Sequence, residues 1–270
     1  MGSAQSSHDR RVVMLKDGLK GPHLFTLSDH HPSLVLRVPR GSMSVAFIEC
    51  SARKKNATLT LEIALDPRSA LTVVFVWRGK AGATIAQKIR VAQGARLHLV
   101  NLTLGSCTQE TISEVIGAQG ESRIDWIIHG QKKMECRLSA RNVFLGREGR
   151  GDLEIRGVVE GHAKASCNGS VEIGPKASGT QAHLTEKILL LDPTARADAI
   201  PSLDVETHDV QASHSASVSR IHPEDLFYFA SRGITQKQAR KLFIDGFLGS
   251  LLDHIPGDGL KEMSRAALHT

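Results

Sequence analysis

The chain has 270 residues, with 34 Lys and Arg against 28 Asp and Glu, so its formal net charge is +6, and only 4% of its residues are aromatic. An apolar fraction of 41% is typical of a globular protein and argues against a disordered chain. No run reaches the roughly 18 apolar residues that span a bilayer, and the first residues lack the apolar core of a secretion signal. We therefore expect a cytoplasmic protein without a membrane partner.

The positive charge is concentrated near the start of the chain. Residues 1–56 contain nine Lys or Arg against four Asp or Glu, whereas residues 57–221 contain nineteen against eighteen. A nucleic-acid-binding protein usually presents a basic face with interleaved aromatic side chains. The nearly neutral body, with two Trp and one Tyr, argues against a nucleic-acid partner.

Residues 1–11 are expected to form a flexible tail, and residues 12–221 carry the pattern of short β-strands. In the run 58–65, Leu59, Leu61, Ile63 and Leu65 alternate with other residues, which is typical of a strand with one buried face. Further runs rich in Val, Ile, Leu and Thr lie at 33–38, 71–77, 96–104, 123–128, 152–159 and 170–173.

Turn segments recur between these strands at similar spacing. They begin at Asp66, Ala92, Ala118, Arg147 and Gly174, so successive turns are 26, 26, 29 and 27 residues apart. A repeat of this length predicts the coils of a β-solenoid, which must stack because a single coil cannot bury its apolar face. A β-sandwich is the alternative, since turns at intervals of about 8–12 residues also fit it.

The pattern changes to helix after residue 221. Pro223 with the acids that follow it predicts a helix start, and Gly233 predicts the end of that helix. Thr235 and Gln238 form a capping box for a second helix, which we expect to end at Pro256. Its predicted apolar stripe consists of Ala239, Leu242, Phe243, Gly246 and Phe247.

The four cysteines, Cys50, Cys107, Cys136 and Cys167, are widely separated. Without a C-x-x-C pair they do not form a zinc or thioredoxin-type motif, and without a secretion signal a disulfide framework is not expected. We expect them to be small buried hydrophobic residues.

The segment 183–214 is dense in groups that bind metals. Glu206 and His208 would share a face about 7 Å apart if they lay on a strand, and Glu186, one coil earlier, would approach His208 or His214. Imidazole and carboxylate together suit iron or zinc. An ordinary exposed polar strand face explains the same spacing equally well.

Residues 161–247 resemble the C-terminal half of the SufB/SufD family, the scaffold proteins of the SUF iron–sulfur cluster assembly system. The matching elements occur in the family's order and spacing, whereas residues 12–160 match only as generic β-helical sequence, so the chain resembles a short form of the family. These elements are Leu189–Leu191, Pro201–Glu206, His208–Val210, Ser213–His214, Leu226–Tyr228 and Ser231–Ile234.

The resemblance implies a mainly β fold: a right-handed parallel β-helix over residues 12–221, followed by a small helical segment, residues 222–270, that docks a SufC-type ABC ATPase. It also implies a dimer through the last β-helical strands, either a homodimer or a heterodimer with a SufB/SufD-like chain. A nascent iron–sulfur cluster or iron would be held at that interface, and ATP hydrolysis would belong to the partner. The chain itself is expected to be no enzyme and to bind no nucleotide.

The resemblance carries over unevenly to individual residues. His214 falls on the family's interface histidine, but the cysteine expected two positions earlier is Ala212, and the essential SufB cysteine aligns with Glu186. Cys167 occupies a position where the family tends to have an aromatic residue. His214 and Glu186 are thus the candidate iron ligands, with Glu206 and His208 weaker, and the missing thiols leave open a SufD-like subunit that holds no cluster.

Tyr228, Arg232 and Lys241 are the candidate partner-binding residues, on the side of the helices turned away from the β body. A carbohydrate-acting β-helix is a third possibility. The scarcity of aromatic residues for stacking on sugars argues against it.

Overall fold

The computed structural model describes residues 10–16, 22–79, 82–221 and 223–269. They form seventeen strands followed by three helices. The strands are β1 Arg10–Met14, β2 His23–Ser28, β3 Ser33–Val38, β4 Met43–Ser51, β5 Ala57–Leu65, β6 Ala70–Trp77, β7 Ala83–Val91, β8 Arg96–Thr103, β9 Cys107–Val115, β10 Glu121–Gly130, β11 Glu135–Phe144, β12 Arg150–Val159, β13 Lys164–Ile173, β14 Thr180–Leu190, β15 Arg196–Ala199, β16 Ser202–Val205 and β17 Val210–Arg220. The helices are α1 Pro223–Ser231, α2 Gln236–Leu252 and α3 Asp258–His269.

The strands alternate between two parallel sheets. Sheet A follows the order β1-β3-β5-β7-β9-β11-β13 and ends with β15 and β16, which both pair with β13; sheet B follows the order β2-β4-β6-β8-β10-β12-β14-β17. One strand of each sheet makes a coil, and about eight coils stack into a parallel β-solenoid with small C-terminal helices, as the sequence predicts. A β-sandwich is wrong, because its sheets would be antiparallel.

The described chain begins inside the segment expected to be a tail. Strand β1 starts at Arg10, and the rest of that segment, residues 1–9, lies outside the described residues. At the other end, β17 ends at Arg220 and α1 starts at Pro223.

Hydrogen bonds continue from coil to coil through the turns that lead from sheet A to sheet B. Arg68, Gln119 and Glu148 hold left-handed backbone conformations, with φ between 57° and 61°. The amide N–H of Arg68 donates to Gln93 O in the next turn at 2.9 Å, that of Gln119 to Arg147 O at 2.9 Å, and that of Glu148 to Ser178 O at 2.8 Å. The left-handed conformation costs about 1–2 kcal/mol at each of these residues, and it places the N–H where the neighbouring coil can accept it. The recurring turns of the sequence therefore carry a line of backbone hydrogen bonds from coil to coil, which we call the corner ladder.

The lumen between the sheets is filled mainly by aliphatic side chains. All four cysteines are buried there and make no disulfide, as expected from their spacing. The lumen also contains polar groups that bond one another: Gln87 Nε2 donates to Asn101 Oδ1 at 3.0 Å, and Thr111 Oγ1 donates to Gln87 Oε1 at 2.6 Å. These buried amides have partners and so avoid the desolvation penalty of an unsatisfied group.

A second apolar core covers the outer face of sheet B. Val74, Val100 and Ile127 point outward from β6, β8 and β10, and Leu251 and Leu260 of α2 and α3 pack against this layer. The central strands of sheet B are thus buried on both faces, so β6 and β10 are buried continuously over most of their length while β5 alternates.

The helices differ from the sequence prediction in two respects. The capping box of Thr235 and Gln238 is confirmed, and so is the end of α1 before Gly233, whose φ is 77°. The predicted apolar stripe is wrong at Leu242 and Gly246, which are exposed, because Leu248, Leu251 and Leu252 face the sheet instead.

The prediction of two helices is also wrong, because a third helix, α3, follows Pro256. It forms because Leu260, Ala267 and Leu268 bury an apolar stripe of their own in the second core. Within the described residues, no helix is long and apolar enough to span a membrane.

The tight stacking of turns predicts opposite effects for two glycine substitutions. A Cβ at Gly117 would stand against the backbone of Ala92 and Gln93 in the preceding turn, whereas a Cβ at Gly246, exposed in α2, meets nothing within 4 Å. We expect Gly117→Ala to lower the free energy of unfolding by at least about 2 kcal/mol through backbone displacement. The control, Gly246→Ala, should raise it by about 1 kcal/mol through helix propensity. Chemical denaturation measures both, and a neutral Gly117→Ala would contradict the turn geometry.

Candidate functional site at the open end of the solenoid

Strand β17 is the edge of sheet B at the C-terminal end of the solenoid. Its 11 residues pair in parallel with β14, from Thr180 opposite Val210 to Leu190 opposite Arg220. Among the described residues no strand pairs with its other side. The facing edge of sheet A is shorter and broken, because Pro201 separates β15 from β16. The last coil therefore leaves one long row of backbone donors and acceptors unpaired.

The open end of the lumen is also apolar and exposed. Register places Val218 opposite Ile188, and Val205 opposite Ile173, so both continue buried columns of the lumen. Their side chains are nevertheless 43% and 38% exposed, because no further coil covers them. An unpaired edge beside exposed core residues is the usual form of a surface that another β-strand or chain covers.

Glu186 is buried in the lumen one strand before this edge. Its side chain is 0% exposed, and its Oε1 accepts a hydrogen bond from the amide N–H of Gly169 at 2.7 Å. The lack of a side chain at Gly169 makes the approach feasible, since a Cβ there would lie 2.7 Å from that oxygen. Oε2 makes no hydrogen bond of standard geometry with the described residues. Burial raises the pKa of Glu186 to about 7 against the opposing effects of the Gly169 and Ile200 amides.

His214 lies on β17, on the same face of sheet B as Glu186. It is opposite Leu184, and Glu186 is opposite Ala216, so the two candidate ligands are diagonal neighbours on adjacent strands. That placement separates their Cα atoms by about 8 Å. His214 is exposed at the open end, whereas Glu186 is covered.

The alternation of the sequence contains the signal for this orientation. Glu186 falls in the apolar phase of β14 with Leu184 and Ile188, and His214 falls in the phase of Ala216 and Val218, while the intervening positions 213, 215, 217 and 219 are serine. Because successive side chains of a strand point to opposite faces, this pattern places both Glu186 and His214 on the lumen side.

Glu206 and His208 are not brought to this pair. The expectation that they share a strand face is wrong, because β16 ends at Val205 and β17 begins at Val210, and both residues lie exposed in the intervening corner. Because Val210 pairs with Thr180, the corner lies just before the Thr180 end of β14. Glu186 is six residues further along that strand, a distance of about 20 Å.

The cysteines do not reach the open end as thiolates. Burial raises the pKa of Cys50, Cys107, Cys136 and Cys167 above the ordinary thiol value, and each is at most 5% exposed. A thiol held protonated inside the lumen is a poor metal ligand, because the thiolate is the species that coordinates.

The helices present an exposed aromatic patch that we call the α1 patch, made of Phe227, Tyr228 and Arg232. Phe227 is 75% exposed and Tyr228 58%, and the Arg232 guanidinium lies 5.4 Å from the centre of the Tyr228 ring. Phe229 packs edge-to-face on Phe243 at 5.4 Å and so connects α1 to α2. Of the predicted partner-binding residues, Tyr228 and Arg232 share this patch, and Lys241 is exposed on α2. Sequence reasoning missed Phe227, whose exposure has no local signal.

One group of three potential metal ligands exists in the described part of the chain, on the outer face of sheet B. Atoms of Asp125, Glu154 and His254 lie within 4.8 Å of one another. The guanidinium of Arg123 is already among them: Nε donates to Asp125 at 3.0 Å, and Nη2 lies 2.7 Å from His254 Nδ1. Since Arg123 supplies the positive charge, the group anchors the turn after α2 to the sheet and is a poor site for a metal ion.

Comparisons with known proteins all relate this chain to one protein family. Residues 26–247 match the family described as SUF system FeS cluster assembly, SufBD core domain. The chain is 28% identical over 240 residues to the iron–sulfur cluster assembly protein SufD of Bacillus subtilis, covering 84% of this chain and 54% of that protein. It is also 28% identical over 222 residues to an iron–sulfur cluster assembly SufBD family protein of Mycobacterium tuberculosis, covering 77% and 55%. The chain thus spans about half the length of these relatives.

The buried carboxyl group predicts an unusual pH dependence of stability. Because the pKa of Glu186 is higher in the folded chain than its ordinary 4.5, the folded state binds more protons between pH 4.5 and about 7. The free energy of unfolding therefore falls as pH rises through this window, by about 3 kcal/mol in total, and this contribution is constant above it. Glu186→Gln removes the decline, so the variant should be more stable than the parent at pH 8 and not at pH 4.5, as measured by denaturation without added metal.

Glu172→Gln is the matched control with the opposite sign. Arg141 bonds both oxygens of Glu172 at 2.7 Å and lowers its pKa, so this carboxylate stabilises the fold above its ordinary pKa. The control should lose stability at neutral pH. Parallel pH profiles for Glu186→Gln and the parent chain would contradict the buried acid.

Proposed function

Because the chain belongs to the SufB/SufD family of iron–sulfur cluster assembly proteins, we propose that it is a SufD-like scaffold subunit. It pairs through β17 with a second SufB- or SufD-like chain and docks a SufC-type ABC ATPase. ATP hydrolysis belongs to the ATPase, and the scaffold transmits the motion of that partner to the paired strands. The nascent cluster is the cargo of the assembly.

The observation that carries the proposal is the unpaired 11-residue edge of β17 beside the exposed end of the lumen. A second copy of the same strand, or a similar one, satisfies that row of backbone groups and covers Val205 and Val218. The alternation of small residues on β17, with Ser on one face and Ala212 and Ala216 on the other, allows a partner backbone to approach closely.

The chemistry of the donor groups favours a subunit that does not hold the cluster alone. Thiolates are the usual anchors of iron–sulfur clusters, and the four cysteines of this chain are buried with raised pKa values. His214 is the one of the two candidate ligands exposed at the proposed interface. A cluster at that interface would take its thiolates from the other chain.

A second candidate function is that this chain binds iron itself, through His214 and Glu186. Their position on adjacent strands and the same face favours it. Because Glu186 is 0% exposed, the carboxylate reaches iron only if the last coil moves away from the lumen. Binding would also require Glu186 to lose the proton that its raised pKa retains.

The α1 patch is the proposed ATPase contact. Aromatic and arginine side chains are the residue types that contribute most binding energy at protein interfaces, and Phe227, Tyr228 and Arg232 are exposed together. In the solenoid, by contrast, every aromatic side chain is buried: Phe25, Phe47, Phe75, Trp77, Trp126 and Phe144. The described solenoid surface therefore offers no aromatic platform for a sugar, which weighs against the carbohydrate alternative.

Point variants test the docking surface more cleanly than removal of the helices, because α2 and α3 belong to the second apolar core. We expect Tyr228→Ala to weaken binding of the cognate ATPase at least tenfold, measured by titration calorimetry with the full chain. The control is Leu24→Ala, at an exposed site on β2 at the far end of the solenoid, and it should bind as the parent does. Equal affinity for both variants would contradict docking through α1.

Anaerobic iron binding distinguishes the two candidate functions. If this chain binds iron by itself, ferrous iron with sulfide should give a bound species in the isolated protein that His214→Ala and Glu186→Ala each reduce severalfold, read by absorption and metal analysis. If it is a thiol-poor subunit, the isolated chain binds no stoichiometric iron. Loss of His214 then changes the yield of cluster only in the complex with a cysteine-bearing chain.

A further inference from the structure

A deep groove separates α2 from the corner where sheet B leads into sheet A. Its volume is about 1040 Å³, at the upper end of the range for small-molecule sites. Its apolar lining includes Leu104, Ile244 and Leu268, and Lys132, Lys237 and Lys241 contribute ammonium groups. An apolar surface bordered by cationic side chains is the complement of an amphipathic segment that carries acids.

The acids of the groove, and Arg240, lie near charged or basic groups of the chain. Asp245 Oδ1 is 3.5 Å from His269 Nε2, although it accepts no hydrogen bond. Arg240 binds Asp192 with both Nη atoms, at 2.6 and 3.1 Å, and Glu160 contacts His129 at 3.2 Å. Lys132, Lys237 and Lys241 are exposed, and none makes an ion pair with any described residue. The three ammonium groups are therefore available to an incoming anion.

The groove lies on the electropositive corner of the solenoid. The described connections from sheet B to sheet A carry six Lys or Arg against three Asp or Glu, whereas those from sheet A to sheet B, from residue 39 onward, carry four against four. The six basic residues are Arg53, Lys54, Lys55, Arg78, Lys132 and Lys133. Part of the charge near the start of the chain thus lies on the same corner as the groove. Such a one-sided distribution steers an oppositely charged surface toward this corner.

We infer that this groove receives an acidic, amphipathic segment of the docked ATPase. The inference rests on the proposed function and extends it, because Lys241 lines the groove and is also exposed beside the docking helices. The apolar lining takes the apolar face of the segment, and the lysines pair with its Asp or Glu side chains. A nucleic acid fits less well, because no Phe, Tyr or Trp lines the groove for base stacking.

The first test compares charge reversals on opposite corners of the full chain. Lys132→Glu with Lys237→Glu reverses the groove, and Arg147→Glu with Lys176→Glu makes the same change in net charge on the other corner, where both residues are exposed. We expect the groove variant to bind the cognate ATPase at least tenfold more weakly than the corner control at low salt. Because the lost contribution is ionic, the salt dependence of its binding should be shallower than that of the parent.

The second test identifies the contact directly. A carbodiimide joins a lysine to a carboxylate at contact distance, and mass spectrometry of the cross-linked complex locates both residues. We expect links from Lys132, Lys237 or Lys241 to Asp or Glu in one ATPase segment that also contains apolar residues. Links from Lys176 instead, or none from the three groove lysines, would overturn the inference.

The outcomes separate this inference from the proposal beneath it. If the groove variant binds within twofold of its control while Tyr228→Ala loses affinity, the groove inference is wrong and docking through α1 stands. If the parent chain does not bind the ATPase, the docking proposal fails as well. Circular dichroism of each variant shows whether lost binding reflects lost folding.

Discussion

Every coil of this solenoid depends on the next coil to satisfy its backbone. The parallel ladders of both sheets, and the corner ladder through Arg68, Gln119 and Glu148, pass donors and acceptors from one coil to its neighbour. In such a repeat the stabilising free energy comes from nearest neighbours, so an end without a neighbour is a place of unmet hydrogen-bonding capacity and exposed core. At the C-terminal end that place is β17, with Val218 open beside it. The proposed pairing follows from this constraint.

The C-terminal helices cover one side of the solenoid, the outer face of sheet B. The middle of sheet B is covered inside by the lumen core and outside by α2 and α3. One ion pair and two hydrogen bonds hold these helices in place: Arg240 pairs with Asp192, Arg156 donates to Phe247 O, and Arg123 bonds His254 Nδ1. Polar anchors among apolar contacts fix the position of α2 relative to the coils. Because Phe229 and Phe243 join α1 to α2, and α2 packs on β12 and β10, a force on α1 would reach these strands of sheet B.

Much of the fold could be predicted from the sequence, because a solenoid repeats one local pattern. The alternation in β5 and the recurring turns predict the coils, and the motifs of residues 161–247 indicate the family. The sequence does not show which face of α2 is buried. Leu242 fits an apolar stripe as well as Leu248 does, and only the position of sheet B decides between them. Helix α3 was missed because Pro256 and the two following glycines suggest an end.

The candidate site was less predictable, because it depends on register between coils. Residue types alone group Glu186, Glu206, His208 and His214 together, and the fold keeps only Glu186 and His214 on one face. The close fit of Glu186 depends on Gly169 on the opposite sheet, where a Cβ would lie 2.7 Å from the carboxyl oxygen, and no local pattern connects the two residues. Burial in the lumen then raises the pKa of Glu186.

Strand β17 is the proposed pairing strand, and the mass of the assembly in solution reports on that pairing. Size-exclusion chromatography with light scattering should be run on the chain alone and mixed with a cysteine-bearing SufB-type partner, for the parent and for Ala216→Pro. The N–H of Ile221 donates to Leu190 O of β14, and N–H directions alternate along a strand, so the N–H of Ala216 points to the unpaired edge. Proline at position 216 removes that donor and keeps the hydrogen bonds of β17 to β14. We predict a species of twice the mass of one chain, or a one-to-one complex with the partner, that Ala216→Pro dissociates while its circular dichroism is retained. A parent chain that is monomeric alone and in the mixture, or an assembly that Ala216→Pro leaves intact, would contradict the pairing.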